Sequence, residues 1–109
     1  MIETPQVVVV AAACRDLVDD DERGWRLGGG ASYSALALAR LGLMVGALVV
    51  ADELAASSAE LDMVRAAGVD VRVIPGSKGP IFINVETPTG RIQHTPQVSD
   101  KVDPAYLPA

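Results

Sequence analysis

Three consecutive glycines offer the clearest place for a ligand in this chain. Gly28, Gly29 and Gly30 stand immediately before an Ala/Leu-rich segment, residues 31–41. A loop without side chains lets a ligand approach the backbone, and the first N–H groups of a following helix would point at that ligand. Hydroxyls or anions would suit such a place. A turn into a buried helix explains the three glycines equally well, so both interpretations stay open.

A carboxylate is expected near this loop. Asp16 follows the apolar run of residues 7–13, which predicts a strand. Ligands of open α/β sheets bind beyond the carboxyl ends of the strands, where Asp16 could accept hydrogen bonds from substrate hydroxyls. Alone, an aspartate in such a loop is more often a turn residue. With the glycine loop behind it, Asp16 becomes a candidate ligand contact.

Two familiar phosphate-binding loops do not match. A P-loop requires a lysine after its glycines, and none follows Gly30 directly. A dinucleotide-binding loop requires G-x-G-x-x-G directly after the first strand, whereas Tyr33 occupies the last glycine position and a long segment separates Cys14 from Gly28. The glycine loop is therefore not assigned to either class of phosphate-binding loop.

The remaining reactive side chains favour structural roles. Cys14 and His94 are single residues that lack a third partner for nucleophilic catalysis and the ligand count for a metal. We expect Cys14 in the core and His94 on the surface. The acidic run at residues 19–22 lacks the spacing of a calcium loop and is expected to be a solvated turn.

Composition indicates one globular α/β domain. Half of the 109 residues are hydrophobic and 21% are charged, which argues for a packed interior. The net charge of −5, without a cluster of Lys or Arg, argues against nucleic acid as a partner. A single cysteine and an N-terminus unlike a secretion signal favour the reducing cytoplasm. Residues 31–51 are long enough to span a membrane, but Arg40 near their middle and Gly42 as a helix end argue against a span.

Alternating segments predict a largely parallel sheet with helices packed on it. Apolar runs read as strands buried on both faces, and the first helix, apolar almost all round, is expected to be buried on several sides. Short links between the segments predict right-handed crossovers. The predicted order is strand 7–13, helix 31–41, strand 43–50, a helix from Ser57 or Ser58 to Gly68, and strand 69–74.

The last third predicts a small antiparallel β flap. Residues 81–85 and 91–94 flank a turn sequence at 87–90, and residues 25–27 read as a short edge strand. Asp103-Pro104 is a helix start with few residues after it, so we expect a truncated product or a fragment, with a frayed C-terminus as the alternative.

The glycine segment LGGGASYSALALARLG, residues 27–42, resembles the N-terminal signature of the ribokinase-like, or PfkB, carbohydrate kinases. The resemblance extends over Asp16, residues 66–71 and the segment from Phe82 to Arg91. It implies a partial three-layer α/β/α domain, truncated, with a largely parallel sheet and a small antiparallel β lid. Residues 1–109 would be the N-terminal part of a single domain, with lid segments near 15–27 and 79–96.

The resemblance also implies a function. Members of the family transfer the γ-phosphate of ATP, with magnesium, to a hydroxyl of a sugar, nucleoside or related alcohol. Carried over by position, Asp16 would hold substrate hydroxyls, Gly29 and Gly30 would let the substrate lie on the backbone, and Phe82 and Asn84 would belong to the lid. Ser34 takes a place where many members have an asparagine, and a hydroxyl offers fewer hydrogen bonds than an amide.

The family's catalytic base lies in a GAGD-type motif, which does not occur in this sequence. We therefore expect the chain alone to lack kinase activity and to bind neither ATP nor Mg²⁺. The alternative is a non-enzymatic module that binds a polyol or nucleoside through the same loop. Unpaired strands would expose backbone and apolar surface, which predicts self-association through the lid or a sheet edge.

Overall fold

The computed structural model describes residues 4–107; the rest of the predicted 1–109 domain lies outside the described residues. These residues form two sheets, called sheet A and sheet B, and three helices. A single 3-10 turn follows the last strand. The elements in chain order are β1 (Val7–Ala12), β2 (Cys14–Leu17), β3 (Trp25–Gly28), α1 (Gly30–Arg40), β4 (Val45–Val50), α2 (Glu53–Ala56), α3 (Ala59–Ala66), β5 (Asp70–Val73), β6 (Ile81–Thr87), β7 (Gly90–Gln97) and the 3-10 turn Pro104–Tyr106.

Sheet A confirms the predicted parallel arrangement. Its order is β1-β4-β5, and both strand pairs are parallel. Central β4 is buried along its whole length, as expected for an apolar strand covered on both faces. The same expectation is wrong for β1, where Val10 is 49% exposed. Among the described residues β1 is an edge strand, and its outer side has no neighbouring strand to cover it.

The helices pack on one face of sheet A. Ala31 and Ala35 of α1 and Leu61 and Val64 of α3 belong to the same buried cluster as alternate residues of β4. The expectation that α1 is buried on several sides is wrong for the described residues, since its Tyr33 is 68% exposed. The small alanines allow a close approach to the sheet, but no second layer covers the outer face of α1 in residues 4–107. The architecture is thus a partial α/β/α fold.

Polar side chains cap the first turns of α2, α3 and the 3-10 turn. Ser58 caps α3 by accepting a hydrogen bond from the Leu61 N–H, which confirms the second of the two predicted caps. Helix α2, which sequence patterning did not predict, begins after Asp52, whose carboxylate accepts from the Ala55 N–H. At the other end of the chain Asp103 caps only one 3-10 turn.

Sheet B contains the segments that were predicted to form a lid. Its order is β3-β2-β6-β7, with the predicted β6–β7 hairpin and β3 at an edge. The expected antiparallel pairing needs one correction, because β2 and β6 pair in parallel. The reason lies in sheet A: β2 continues from β1 and β6 comes after β5, and both of those strands run in the same direction.

Two further expectations, for the acidic run and for the long apolar stretch, can be compared with the structure. The acidic run is a turn, as expected, in which Asp19, Asp20 and Glu22 are exposed; Asp20 and Asp21 also form ion pairs with Arg26 and Arg23. The apolar stretch that was weighed as a membrane span is divided between α1 and β4. Within residues 4–107, no helix has the length and apolar character needed to cross a bilayer.

Candidate functional site

The Asp16 carboxylate lies against the glycine loop. Asp16 is in β2 and pairs with Arg26, two residues before Gly28. A Cβ atom added to Gly28 would stand only 2.6 Å from Asp16 Oδ2 and 3.0 Å from Cys14 Sγ. A side chain at position 28 would therefore require the Asp16 carboxylate and the Cys14 thiol to shift. Gly28 belongs to the predicted glycine loop, but only Gly29 and Gly30 were assigned to contact the substrate.

Gly29 and Gly30 bring the start of α1 close to the end of β1. Gly29 has φ +97°, and its missing Cβ would overlap the Ala12 carbonyl oxygen. A Cβ on Gly30 would lie 3.2 Å from the Ala11 Cβ. The Gly29 carbonyl accepts from the Ser32 N–H and hydroxyl, which closes the first turn of the helix. The loop is thus packed against its own chain on the side that faces β1.

One face of sheet B collects Asp16, Phe82 and Asn84. Phe82 is the parallel partner of Asp16, and paired residues point to the same face of a sheet. Asn84, two residues further along β6, lies on that face as well, and its Oδ1 accepts from Gln93 Nε2 at 2.9 Å. Ser34 is exposed on α1, with no hydrogen bond to the other predicted site residues in the part of the chain that the structure describes.

The Cys14 thiol is a buried hydrogen-bond donor to the Asp16 carboxylate. It is 5% exposed, as predicted for a core residue, and its Sγ lies 3.7 Å from Asp16 Oδ1, to which it donates. Burial, and then the negative charge of Asp16, raise the pKa of the thiol to about 11. A thiol in this state is a poor nucleophile. His94, by contrast, is exposed on β7, as predicted.

One cleft of about 720 Å³ adjoins this face, and Asn84 lines it together with Leu17, Asp19 and Glu86, among others. This cleft does not include the other predicted site residues, which are Asp16, Gly29, Gly30, Ser34 and Phe82. Asp16 and Phe82 are partly exposed on this face, and the glycine loop borders Asp16 on one side.

A partly buried ion pair joins the two sheets and was not predicted. Arg15 Nε donates to Asp52 Oδ2 at 2.8 Å, and each side chain is 16% exposed. Gln97 Nε2 lies 3.5 Å from the same oxygen and 2.7 Å from the Gly79 carbonyl oxygen. Arg15 and Gln97 belong to sheet B, whereas Asp52 follows the central strand of sheet A. The three residues, which we call the joint, fix sheet B at the carboxyl end of β4.

A second link connects sheet B to α3. Both oxygens of Glu60 accept from Arg23, at 2.7 and 2.9 Å, and Glu60 Oε2 also accepts from the Leu27 N–H at 3.0 Å. Arg23 in addition pairs with Asp21 and lies 4.2 Å over the Trp25 ring. Hydrogen bonds from Arg23 lower the pKa of Glu60 to about 2 and that of Asp21 to about 2.

Comparison with known proteins identifies the fold. No protein-family model matches the chain, and neither does any curated protein. Solved structures do match: a PfkB protein from Polaromonas sp. JS666 is 23% identical, with a TM-score of 0.57, and the match covers 88% of this chain and 37% of that one. The fold is that of the N-terminal portion of ribokinase-like proteins, as the glycine signature predicted.

Two further neighbours were solved with ligands. Aminoimidazole riboside kinase from Salmonella enterica, complexed with aminoimidazole riboside and an ATP analog, is 24% identical with a TM-score of 0.59, and the match covers 93% of this chain and 35% of that one. A pyrophosphate-dependent kinase in the ribokinase family, complexed with a pyrophosphate analog and myo-inositol, is 15% identical with a TM-score of 0.59, over 91% and 35% of the two chains. The present chain thus spans about a third of the length of these structures.

Proposed function

We propose that this chain forms the substrate side of a PfkB-type kinase site that binds a sugar, nucleoside or related alcohol. The observation that carries the proposal is the Asp16 carboxylate against Gly28, on the same sheet face as Phe82 and Asn84. Asp16 accepts hydrogen bonds from ligand hydroxyls, and Gly29 and Gly30 keep the backbone accessible beside it. Phe82 and Asn84 contribute from the lid, and Ser34 from α1.

The polarity of the loop favours hydroxyls over anions. Gly28 faces the Asp16 carboxylate and Gly29 faces the Ala12 carbonyl, so both neighbours are hydrogen-bond acceptors. An acceptor-lined place attracts O–H donors and repels phosphate. A neutral polyol or nucleoside therefore fits this loop better than a phosphate group does.

ATP and Mg²⁺, which the fold family implies, do not fit the described residues. Residues 4–107 contain no group of three or more His, Cys, Asp or Glu side chains placed to hold a metal ion. The GAGD-type motif that carries the catalytic base in the family is absent from the sequence. We therefore propose that the chain alone binds its alcohol without transferring a phosphoryl group. We separately propose that it resides in the cytoplasm, on the ground of its single cysteine.

Binding and turnover separate the two functional candidates. Isothermal titration of the 109-residue chain with D-ribose, D-fructose, myo-inositol and adenosine should detect at least one ligand. Asp16→Asn should abolish binding, while Asp62→Asn, at an exposed aspartate of α3 outside the proposed site, should leave it unchanged. A coupled ADP assay with ATP and Mg²⁺ should stay at background, and turnover above it would contradict the claim of inactivity. Equal binding by wild type and Asp16→Asn would remove Asp16 from the site.

The alternative is a module that only senses such a ligand. It is favoured by the same absence of the GAGD-type motif. Joining the chain to the C-terminal portion of a ribokinase-like enzyme tests it: restored phosphoryl transfer that depends on Asp16 supports the kinase, and binding without transfer supports the module.

We also propose self-association through the hairpin of sheet B. Val85 and Ile92 face each other across β6 and β7 and are 42% and 51% exposed, on the edge strand pair. Burying such residues against a second copy removes apolar surface from water. Sedimentation velocity over a concentration series should show a dimer that Ile92→Lys dissociates and Thr89→Lys, at the exposed turn, does not. A monomer at all concentrations would contradict this proposal.

A further inference from the structure

Glu60 holds the strand that leads into the glycine loop. The Leu27 N–H donates to Glu60 Oε2 at 3.0 Å, and Leu27 is the residue immediately before Gly28. Strand β3 is an edge strand of sheet B, with β2 on one side only. The N–H groups on the other side of an edge strand need partners from outside the sheet. A side chain of α3 supplies one at this position.

The carboxylate is itself fixed. Arg23 binds both oxygens of Glu60 in a two-pronged geometry, at 2.7 and 2.9 Å. Arg23 is in turn held by Asp21 and by the face of Trp25, which is 7% exposed. Bidentate pairs of this kind restrict the orientation of both partners. The acceptor for Leu27 is therefore held in one orientation relative to the sheet.

The position of Glu60 on its helix adds to this restriction. Glu60 is in the first turn of α3, after the Ser58 cap, where a negative charge is favoured by the helix dipole. Leu61 of the same turn is fully buried in the core with the helix face of β4. Because the Glu60 carboxylate is held by a packed helix, its hydrogen bond to Leu27 restrains the position of β3.

We propose that Glu60 is a positioning residue that keeps Gly28 against Asp16 and thereby sets the affinity of the site for its hydroxyl ligand. The inference rests on the proposed function for the ligand, but its geometric part does not. Glu60 touches β3 at Leu27, beside the loop, and acts on the site through that strand. Its loss frees β3 and the glycine loop while the parallel sheet keeps its packing.

Hydrogen exchange on the 109-residue chain tests the geometric part. In Glu60→Ala, exchange of the Leu27 amide and of the amides at residues 28–30 should accelerate about tenfold or more, the factor expected for losing a hydrogen bond to a charged acceptor. Amides of β4 should keep their wild-type rates. Glu60→Gln retains a neutral acceptor for Leu27 and should restore part of the protection. Asp62→Asn, which removes an exposed acid paired with Arg65 in the same helix, is the matched control.

Titration with the ligands that bind the wild type tests the functional part. Affinity should fall about tenfold in Glu60→Ala, and less in Glu60→Gln, for the same reason. Unchanged exchange at residues 27–30, or equal acceleration in β4, overturns the positioning role, as does wild-type affinity in Glu60→Ala. If the wild type binds none of the four ligands, the proposed function fails, and the exchange pattern still decides whether Glu60 positions the loop.

Discussion

Replacing Asp52 separates the two tasks that its carboxylate performs at the joint. Asp52 caps α2 through the Ala55 N–H and pairs with Arg15, with both charged side chains 16% exposed. An N-cap contributes about 1 kcal/mol. An ion pair contributes roughly 0–1 kcal/mol on the surface, and breaking a buried one costs about 3–5 kcal/mol, so this partly buried pair should lie near 2 kcal/mol.

These magnitudes predict an order of stabilities. Asp52→Asn keeps a capping oxygen and loses the charge, so it should destabilise by about 2 kcal/mol, while Asp52→Ala loses both and should cost about 3 kcal/mol. Urea unfolding followed by circular dichroism gives the free energies. Glu53→Gln, exposed and one residue further, should stay within about 0.5 kcal/mol of wild type.

A double-mutant cycle then isolates the pair. Arg15→Met also removes the contact of Arg15 with the Trp25 ring at 5.6 Å, but that loss cancels in the cycle with Asp52→Asn. The coupling energy should be about 1–3 kcal/mol. A coupling energy near zero, or a wild-type stability for Asp52→Asn, would refute the claim that this pair fixes sheet B on sheet A.

Three further predictions concern the loop and its surroundings. Gly29→Ala should lower the free energy of unfolding by about 3 kcal/mol or more, because the added Cβ is strained at positive φ and also overlaps Ala12. Gly68→Ala has a similar φ of +102° but open space around it, so it should cost only about 1 kcal/mol in the same urea assay. The pKa of Glu60 is lowered from 4.5 to about 2, so its charged form stabilises the fold fully above pH 4.5 and progressively less as the pH falls towards 2. The difference in melting temperature between wild type and Glu60→Gln should therefore narrow over that range. A constant difference would contradict this. Cys14, with its pKa raised from 9.0 to about 11, should react with Ellman's reagent at pH 8 about a hundredfold more slowly in the native chain than in urea, and equal rates would place the thiol at the surface.

Local signals carried most of the fold. The Val-rich run of β4, the Ser58 cap and the turn between β6 and β7 each depend on residues close in sequence, and each was predicted. Burial patterns depended on neighbours that the sequence does not reveal. Val10 lies in a run of residues that is as apolar as β4, but its exposed fraction depends on which strands lie beside β1.

The ion pairs that link sheet B to sheet A and to α3 could not be predicted from the sequence, for a physical reason. Arg15 and Asp52 are 37 residues apart, as are Arg23 and Glu60. Charged residues at such separations pair only once the sheets fix their positions, and many acids and bases in the chain were available as partners. The parallel pairing of β2 with β6 has the same origin, since it is inherited from the direction of the strands in sheet A.

The glycine loop shows how close packing and ligand binding can require the same residues. Gly29 accommodates the Ala12 carbonyl and could not carry a side chain even if no ligand ever bound, and a side chain at Gly28 would displace the Asp16 carboxylate. The glycines alone therefore do not identify a site. What points to a ligand is the acceptor beside them. Within residues 4–107, the Asp16 carboxylate accepts a side-chain hydrogen bond only from the weak S–H donor of Cys14, so it retains most of its hydrogen-bonding capacity for hydroxyls from outside. Loss of hydroxyl binding in Asp16→Asn, with the fold intact, is the result that this argument requires.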